Sequence, residues 1–311
     1  MKAKGISPRH FSRANDRRRG GFVEAQGGGT VILARGDVAA KLGLPVAAVL
    51  GFVSSYADGA HTSIPAPGLG ALGAGRGGRS SRLARALAAL GVQADDIAVV
   101  SKHETSTGAN DPNESELHTR LARALGRSEG NSLVAVSQKT ITGHAKGGAA
   151  VFQVAGLTEI LASGVAPGNA SLDVVDAPLA KDAFWVWPRT PIRLTGRDGG
   201  PVRAGLLTSL GFGHVSGLIA VVHPGAFEAA LRQAAGQEAV DAWLASANAR
   251  LAAGTRRRRA GMIGRAPLFE PVQGRRLGEE SKQRDPHEVE AAMLLDPDAR
   301  LGSDGVYHAG E

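Results

Sequence analysis

The sequence contains no cysteine among its 311 residues. This excludes disulfides, thiolate metal sites and a cysteine nucleophile within the chain. Aromatic residues make up only 4%, which leaves few stacking surfaces for single-stranded nucleic acid. Long apolar runs are also missing, so no transmembrane helix is predicted, and the basic residues 1–20 lack the apolar core of a secretory signal. We therefore expect a cytoplasmic protein without a metal site and with neither a membrane nor a nucleic acid as partner.

The positive charge is unevenly distributed. The formal net charge is +7, yet residues 225–311 are close to neutral, so the excess lies in residues 1–224, including Arg17, Arg18 and Arg19. A basic surface attracts polyanions and acidic proteins alike. Because aromatic residues are scarce, an acidic protein is the favoured partner.

Strand-like and helix-like segments alternate along the chain. Apolar runs predict strands at the end of 21–34 and at 45–56, 97–101, 133–136, 202–208 and 215–222. Helices are predicted at 81–90, 112–125, 146–161, 225–253 and 286–295, and residues 62–79, rich in Pro and Gly, form a loop. This order, ending in a hairpin, predicts an α/β fold with a mixed sheet covered by helices.

Two histidines follow predicted strands. His103 lies in SKHETSTGANDPNE and His144 in SQKTITGHAKGGAA. The carboxyl ends of strands are where α/β sheets place ligands and catalysts, and Thr105 and Thr107 add hydroxyl groups beside His103. A single histidine is more often a structural residue. The evidence for a functional role of this pair therefore comes from the sequence motifs around the two residues.

Four segments in order resemble those of β-ketoacyl synthases. His103, Thr105, Thr107, Asp111 and Glu114 keep the spacing of the family's HGTGTxxGDxxE segment. QKTITGHAKGGAA is similar to KxxxGHxxGAAG, SLGFGHVSG at 209–217 to SFGFGGTN, and NDRRRGGFVEAQGGG at 15–29 to DxxRxGFVxGEGAG.

The resemblance covers roughly residues 12–223 and implies the C-terminal half of a thiolase-like fold. Residues 1–44 would end the N-terminal half, residues 45–224 would form the C-terminal domain, and residues 225–311 would be a helical and polar extension. The wording of the segments most resembles the condensing domain of bacterial, actinobacterial-like type I fatty acid synthases.

The resemblance also implies roles for the charged residues. The family condenses malonyl thioester with an acyl thioester and releases carbon dioxide. His103 and His144 would donate hydrogen bonds to the enolate oxygen that develops. Lys139 would orient and tune the region of the second histidine, Glu114 would be its partner, and Asp111 would support the site.

Substrate contacts are implied as well. Phe212 would be an aromatic gate, and Thr105, Thr107, Gly211 and Gly213 would contact the phosphopantetheine arm of an acyl carrier protein. No tightly bound cofactor is expected. The nucleophilic cysteine would belong to a missing N-terminal half, so the chain alone is expected to be inactive, and the parent assembly is expected to be a homo-oligomer.

Two other interpretations remain open at this point. A chain without a cysteine could be a non-catalytic partner subunit of the chain-length-factor type, or a different thiolase-fold enzyme that uses coenzyme A. The chain also departs from the family at Glu104 (commonly Gly), Gln26 (often Glu), His214 (usually Gly) and Ser216 (usually Asn). These departures are expected to alter details of the oxyanion and gate contacts.

Overall fold

The computed structural model describes residues 5–59, 69–108, 110–180, 184–211, 213–265, 300–301 and 307–308. The chain divides into two compact units, one drawn from residues 1–33 and 47–230 and the other from residues 34–46 and 231–311. The domain boundaries predicted after residues 44 and 224 are not tested by this division into compact units, and they stay a prediction.

A six-stranded mixed sheet organises the first unit. The strands of the described residues, numbered along the whole chain, are β1 Val49–Ala57, β2 Ile97–Ser101, β3 Leu133–Val136, β4 Val165–Ala166, β5 Trp185–Val186, β6 Ile192–Arg193, β7 Ala204–Gly211, β8 Val215–Val222, β9 Arg300–Leu301 and β10 Tyr307–His308. The sheet order is β1-β8-β7-β2-β3-β5, while β4 pairs with β6 and β9 with β10. Strands β7, β2, β3 and β5 are parallel neighbours, and β8 runs antiparallel to both β7 and β1. The predicted mixed sheet and its hairpin are confirmed.

Four of the described helices lie where they were predicted, with shifted ends, and two short helices, the first and the fourth, were not predicted. The described helices are α1 Gly36–Leu42, α2 Arg82–Ala88, α3 Asn110–Leu125, α4 Gln138–Thr142, α5 Ala149–Ser163 and α6 Gly225–Met262. Ser81 caps α2, since its side chain accepts from the Ala84 amide at 3.1 Å. Helix α6 continues past the predicted end at residue 253 and is interrupted at Gly236, whose φ is 83°. Within the described residues, none of the helices has the length and apolar character needed to cross a membrane.

The sheet has an apolar core on each face. Alternate residues of a strand point to opposite faces, and β2 shows this directly: Val100 joins the cluster formed with α2 and α3, whereas Val99 joins the cluster formed with α5. Leu206 and Leu207 of β7 divide in the same way. Both faces are therefore covered by helices. The carboxyl ends of the parallel strands β2 and β3 lie at one edge of the sheet.

The strand predicted at the end of residues 21–34 is wrong. The segment is extended but forms no ladder, and Ile32 and Leu33 are 89% and 69% exposed. Its glycines lie against the start of α5: a Cβ on Gly27 would come within 2.7 Å of the Phe152 ring. The glycines of this segment pack on helix α5, and the apolar residues that follow them do not pair with a described strand. The helix predicted at 286–295 lies outside the described residues.

Candidate active site

Two neighbouring parallel strands deliver the first residues of the site. β2 ends at Ser101 and is followed by His103, and β3 ends at Val136 and is followed by Lys139 in α4. Both side chains are buried, with His103 5% and Lys139 2% exposed. The carboxyl edge of the sheet therefore places an imidazole and an amine side by side.

Lys139 lies against His103. Its Nζ atom is 3.1 Å from Nδ1 of His103 and also contacts the His103 backbone carbonyl. Burial lowers the pKa of Lys139 to about 8, although nearby carboxylates, Glu114 foremost, act in the opposite direction. Burial, followed by the charge of Lys139, lowers the pKa of His103 well below its usual value. At neutral pH the pair is therefore a mostly protonated lysine beside a neutral histidine.

His144 is held by the extended segment that precedes α1. Its amide donates to the Val23 carbonyl at 2.8 Å and its carbonyl accepts from the Ala25 amide at 3.2 Å. The Phe22 ring lies 4.6 Å from the imidazole, centroid to centroid. Burial, then the charges of Lys139 and Lys146, lowers the pKa of His144 to about 4. His144 is thus also neutral at physiological pH.

The hydrogen bonds of the two imidazoles assign their tautomers. Nδ1 of His144 accepts from the Lys146 amide at 3.0 Å, and Nδ1 of His103 faces the Lys139 ammonium. A neutral imidazole whose Nδ1 accepts carries its proton on Nε2. The two rings are 5.7 Å apart and nearly perpendicular. The site therefore offers two neighbouring neutral Nε2–H donors, a suitable arrangement for stabilising a developing oxyanion.

Glu114 makes no direct ion pair with Lys139 among the described contacts, although its charge raises the Lys139 pKa, and the predicted partnership stays a prediction. It is fully buried, and its carboxylate accepts from the backbone amides of His103 and Glu104 at 2.5 and 2.8 Å. Asn110 donates to it at 3.0 Å, and the Thr208 hydroxyl completes its contacts. Burial raises its pKa. Glu114 thus holds the backbone of His103. Lys139 contacts the first histidine directly and also acts on the second through its charge, and its predicted role stays a prediction.

A second buried cluster lies beside His103. Lys102 and Glu104 form an ion pair of 2.7 Å, with both side chains fully buried. Asn15 donates to Glu104 at 2.6 Å and accepts from Lys102 at 3.1 Å. The predicted Asp111 is also here: it accepts from the Asn15 amide at 3.0 Å and faces Arg19 at 3.5 Å. Burial, then the nearby Glu104 charge, raises the pKa of Asp111 to about 7.

The predicted phosphopantetheine contacts divide between two loops. The Thr105 and Thr107 hydroxyls are 3.1 Å apart, and Thr107 also accepts from the Asn110 amide at 3.2 Å, at the start of α3. Gly211 and Gly213 lie at the β7–β8 turn, with open space around Gly213. Phe212 lies outside the described residues. Substrate roles for these residues stay predictions.

Four further residues of the site are not indicated by the sequence motifs. They are Asn15, Arg19, Lys102 and Thr208. Thr208 accepts from or donates to His118 at 3.1 Å in the core. The available signal was the position of Lys102 at a strand end directly before His103, where a charged residue is unusual in a buried sheet.

The sequence and the fold are similar to those of known proteins. Residues 46–173 match the family described as "Beta-ketoacyl synthase, C-terminal domain". Fatty acid synthase 2 of Mycosarcoma maydis is 34% identical over 98% of this chain and 8% of its own length. Fatty acid synthase alpha subunit stcJ of Emericella nidulans is 40% identical over 71% of this chain and 14% of its own.

Solved structures carry the same fold. The ketosynthase FabY from P. aeruginosa has a TM-score of 0.73 at 25% identity, covering 86% of this chain and 40% of that one. A Streptomyces albus oxazolomycin ketosynthase domain has a TM-score of 0.59 at 23% identity, covering 71% and 38%, and supports the fold alone.

The sheet, its covering helices and these neighbours define a thiolase-like α/β fold. Within that class, the chain belongs to the β-ketoacyl synthases and carries their C-terminal part. It spans a small fraction of the curated fatty acid synthases it matches. The matched fatty acid synthases of Mycosarcoma maydis and Emericella nidulans are fungal, so the predicted bacterial type I branch stays a prediction.

Proposed function

We propose that this chain supplies the decarboxylating half of a 3-oxoacyl-[acyl-carrier-protein] synthase site in fatty acid synthesis. The observation that carries the proposal is the pair of neutral imidazoles, His103 and His144, 5.7 Å apart and each left with an Nε2–H donor. Similarity to fatty acid synthases over nearly the whole chain supports the substrate class.

The chemistry follows from where charge develops. In a malonyl thioester, the bond between the carboxylate carbon and Cα breaks, carbon dioxide leaves, and the electron pair forms an enolate with its charge on the thioester oxygen. Two Nε2–H donors would stabilise that oxygen more strongly than the ground-state carbonyl. Lys139 keeps His103 in the donor tautomer. In condensation the enolate carbon attacks an acyl thioester, and without one it takes a proton.

The acyl group requires a nucleophile that this cysteine-free sequence does not contain. We propose that the cysteine is supplied from outside these 311 residues, and that the malonyl group arrives on the phosphopantetheine of an acyl carrier protein. A ketosynthase with the same fold has been solved in complex with its type II PKS acyl-carrier protein. Thr105 and Thr107 are the proposed contacts of the arm, and cytoplasmic location and homo-oligomeric assembly belong to the same proposal.

Carbon dioxide release from malonyl-pantetheine tests the proposal without the nucleophile. We expect the full chain to release carbon dioxide, and His103→Ala or His144→Ala to lower the rate by about 10²- to 10³-fold each. His223→Gln is the matched control, since His223 lies outside the pair and accepts from the Gly225 amide at 3.0 Å. Unchanged rates in both alanine variants would overturn the proposal. A folded chain with no release would instead favour the non-catalytic partner subunit.

A further inference from the structure

The two residues that flank His103 in the chain point into one buried cluster. The Lys102 and Glu104 side chains are fully buried and 2.7 Å apart. We propose that this ion pair, completed by Asn15, is a positioning device that clamps His103 from both sides. The inference deepens the proposed function and rests on it for its activity measurement.

The backbone of Glu104 requires such a clamp. Its φ is 34°, in the region that non-glycine residues seldom occupy. Strained backbone of this kind persists only where the surroundings determine it. Here the Glu104 amide donates to Glu114, and the Glu104 carboxylate binds both Lys102 and Asn15. The side chain thus fixes the turn by which the chain leaves His103.

Lys102 fixes the other side. Besides Glu104, its ammonium donates to Ser115 Oγ at 2.9 Å and Asn15 Oδ1 at 3.1 Å. It also lies 5.6 and 5.0 Å from the ring centres of Trp185 and Trp187, an arrangement that favours a cation. The ammonium is therefore built into the fold as a charge, with donors satisfied on several sides.

Each charge of the pair depends on the other. Removing one partner of a buried ion pair leaves an uncompensated charge, whereas replacing both with neutral side chains of similar size is often tolerated. Loss of Glu104 alone would leave Lys102 to seek other acceptors, and the strained turn would relax. The His103 ring would then shift relative to Lys139 and His144, because its backbone sits between the two flanking residues.

The experiment compares Glu104→Gln, Lys102→Met and the double variant in the full chain labelled with ¹⁵N-histidine. We expect each single variant to move the imidazole ¹⁵N signals of His103 and to lower carbon dioxide release from malonyl-pantetheine by about 10- to 100-fold. The double variant should fold, because it leaves no uncompensated buried charge, yet it should keep the shifted His103 signals and the lowered rate, because the ion pair is gone. A folded double variant with a displaced His103 separates positioning by the ion pair from general loss of fold.

Glu116→Gln is the matched control, because it removes an exposed ion pair with Arg120 and should change neither measurement. The proposal is overturned if both single variants keep wild-type His103 signals, or if the folded double variant regains the wild-type signals and rate. Should a single variant fail to fold, the double variant decides by its His103 signals. A wild-type chain that releases no carbon dioxide would defeat the proposed function, while the ¹⁵N signals would still test the clamp.

Discussion

Nζ of Lys139 lies 3.1 Å from Nδ1 of His103, and both side chains are buried. A protonated amine at this distance can only donate, so Nδ1 must accept and the ring proton must sit on Nε2. The tautomer of the first imidazole is thus set by the protonation state of one lysine. This coupling has consequences for pH dependence and for substitution.

Carbon dioxide release is expected to fall as the pH rises through about 8, the pKa of Lys139. Above that pH the amine is neutral, and the assignment of the His103 proton to Nε2 is no longer enforced. Lys139→Met should be slower at neutral pH and should lack this alkaline decline. A pH–rate profile from about pH 6 to pH 9.5 measures both. A wild-type rate that stays level through pH 8 would contradict the coupling.

His118 should make the fold sensitive to acid. It is buried against Thr208, and burial, then the charge of Lys102, lowers its pKa to about 3. Between the ordinary value of 6.5 and about 3, the unfolded chain binds a proton that the folded chain does not. Stability from this residue is therefore complete above pH 6.5 and declines as the pH falls, by about 2 kcal/mol between pH 7 and pH 5.

Urea unfolding at the two pH values tests this expectation. His118→Gln cannot take up the proton, so its stability should decline less between pH 7 and pH 5 than that of the wild type. Other buried histidines contribute to both proteins, and the comparison removes them. Equal declines in the two proteins would show that His118 is not the source.

Gly143→Ala should disturb His144 through the backbone. Gly143 has a φ of 72°, and a Cβ there would lie 2.7 Å from Cβ of Ala25. We expect a loss of about 1–3 kcal/mol in the free energy of unfolding and a slower release of carbon dioxide. Gly147→Ala is the control, since no atom lies within 4 Å of its added Cβ. Thermal unfolding and the rate assay together would reject the idea if the two variants behave alike.

Arg127 is expected to matter for stability without entering the chemistry. Its guanidinium donates to the backbone carbonyls of Ala94, Ile97, Asn131 and Ser132 at 2.6–2.8 Å. Arg127→Met would leave these acceptors unpaired, at a cost of about 2–4 kcal/mol. Arg120→Met, at an exposed position, should cost less than about 1 kcal/mol. Chemical denaturation of both variants makes the comparison, and a small effect at Arg127 would show that water replaces it readily.

The sequence was most informative about the side chains that follow the strands of the sheet. His103 and Lys139 follow β2 and β3, and parallel strands bring their carboxyl ends to the same edge. The mixed sheet was predictable for the same reason, from strand–helix alternation and a final hairpin. These inferences depend on short-range pattern and on the order of the elements along the chain, and both can be read directly from a sequence.

Long-range partners were less accessible. The contact of Glu114 with the backbone of His103, rather than with Lys139, depends on how α3 docks beside β2, which spacing does not determine. The Asn15–Lys102 contact joins residues far apart in sequence. The wrong prediction of a strand at the end of residues 21–34 has a similar origin. The close packing of Gly27 on α5 is a property of the assembled fold, which a local pattern does not reveal.

Glu114 accepts from the amides after β2 and from Thr208 on β7 while it is itself part of α3. These three elements must therefore have docked before its carboxylate has its full set of donors. A compact intermediate that keeps its helices but loses tertiary packing would leave this carboxylate without its partners and release the turn at His103. We therefore expect the two imidazoles to come together only when these elements are packed, so their proximity can report that the native arrangement has formed.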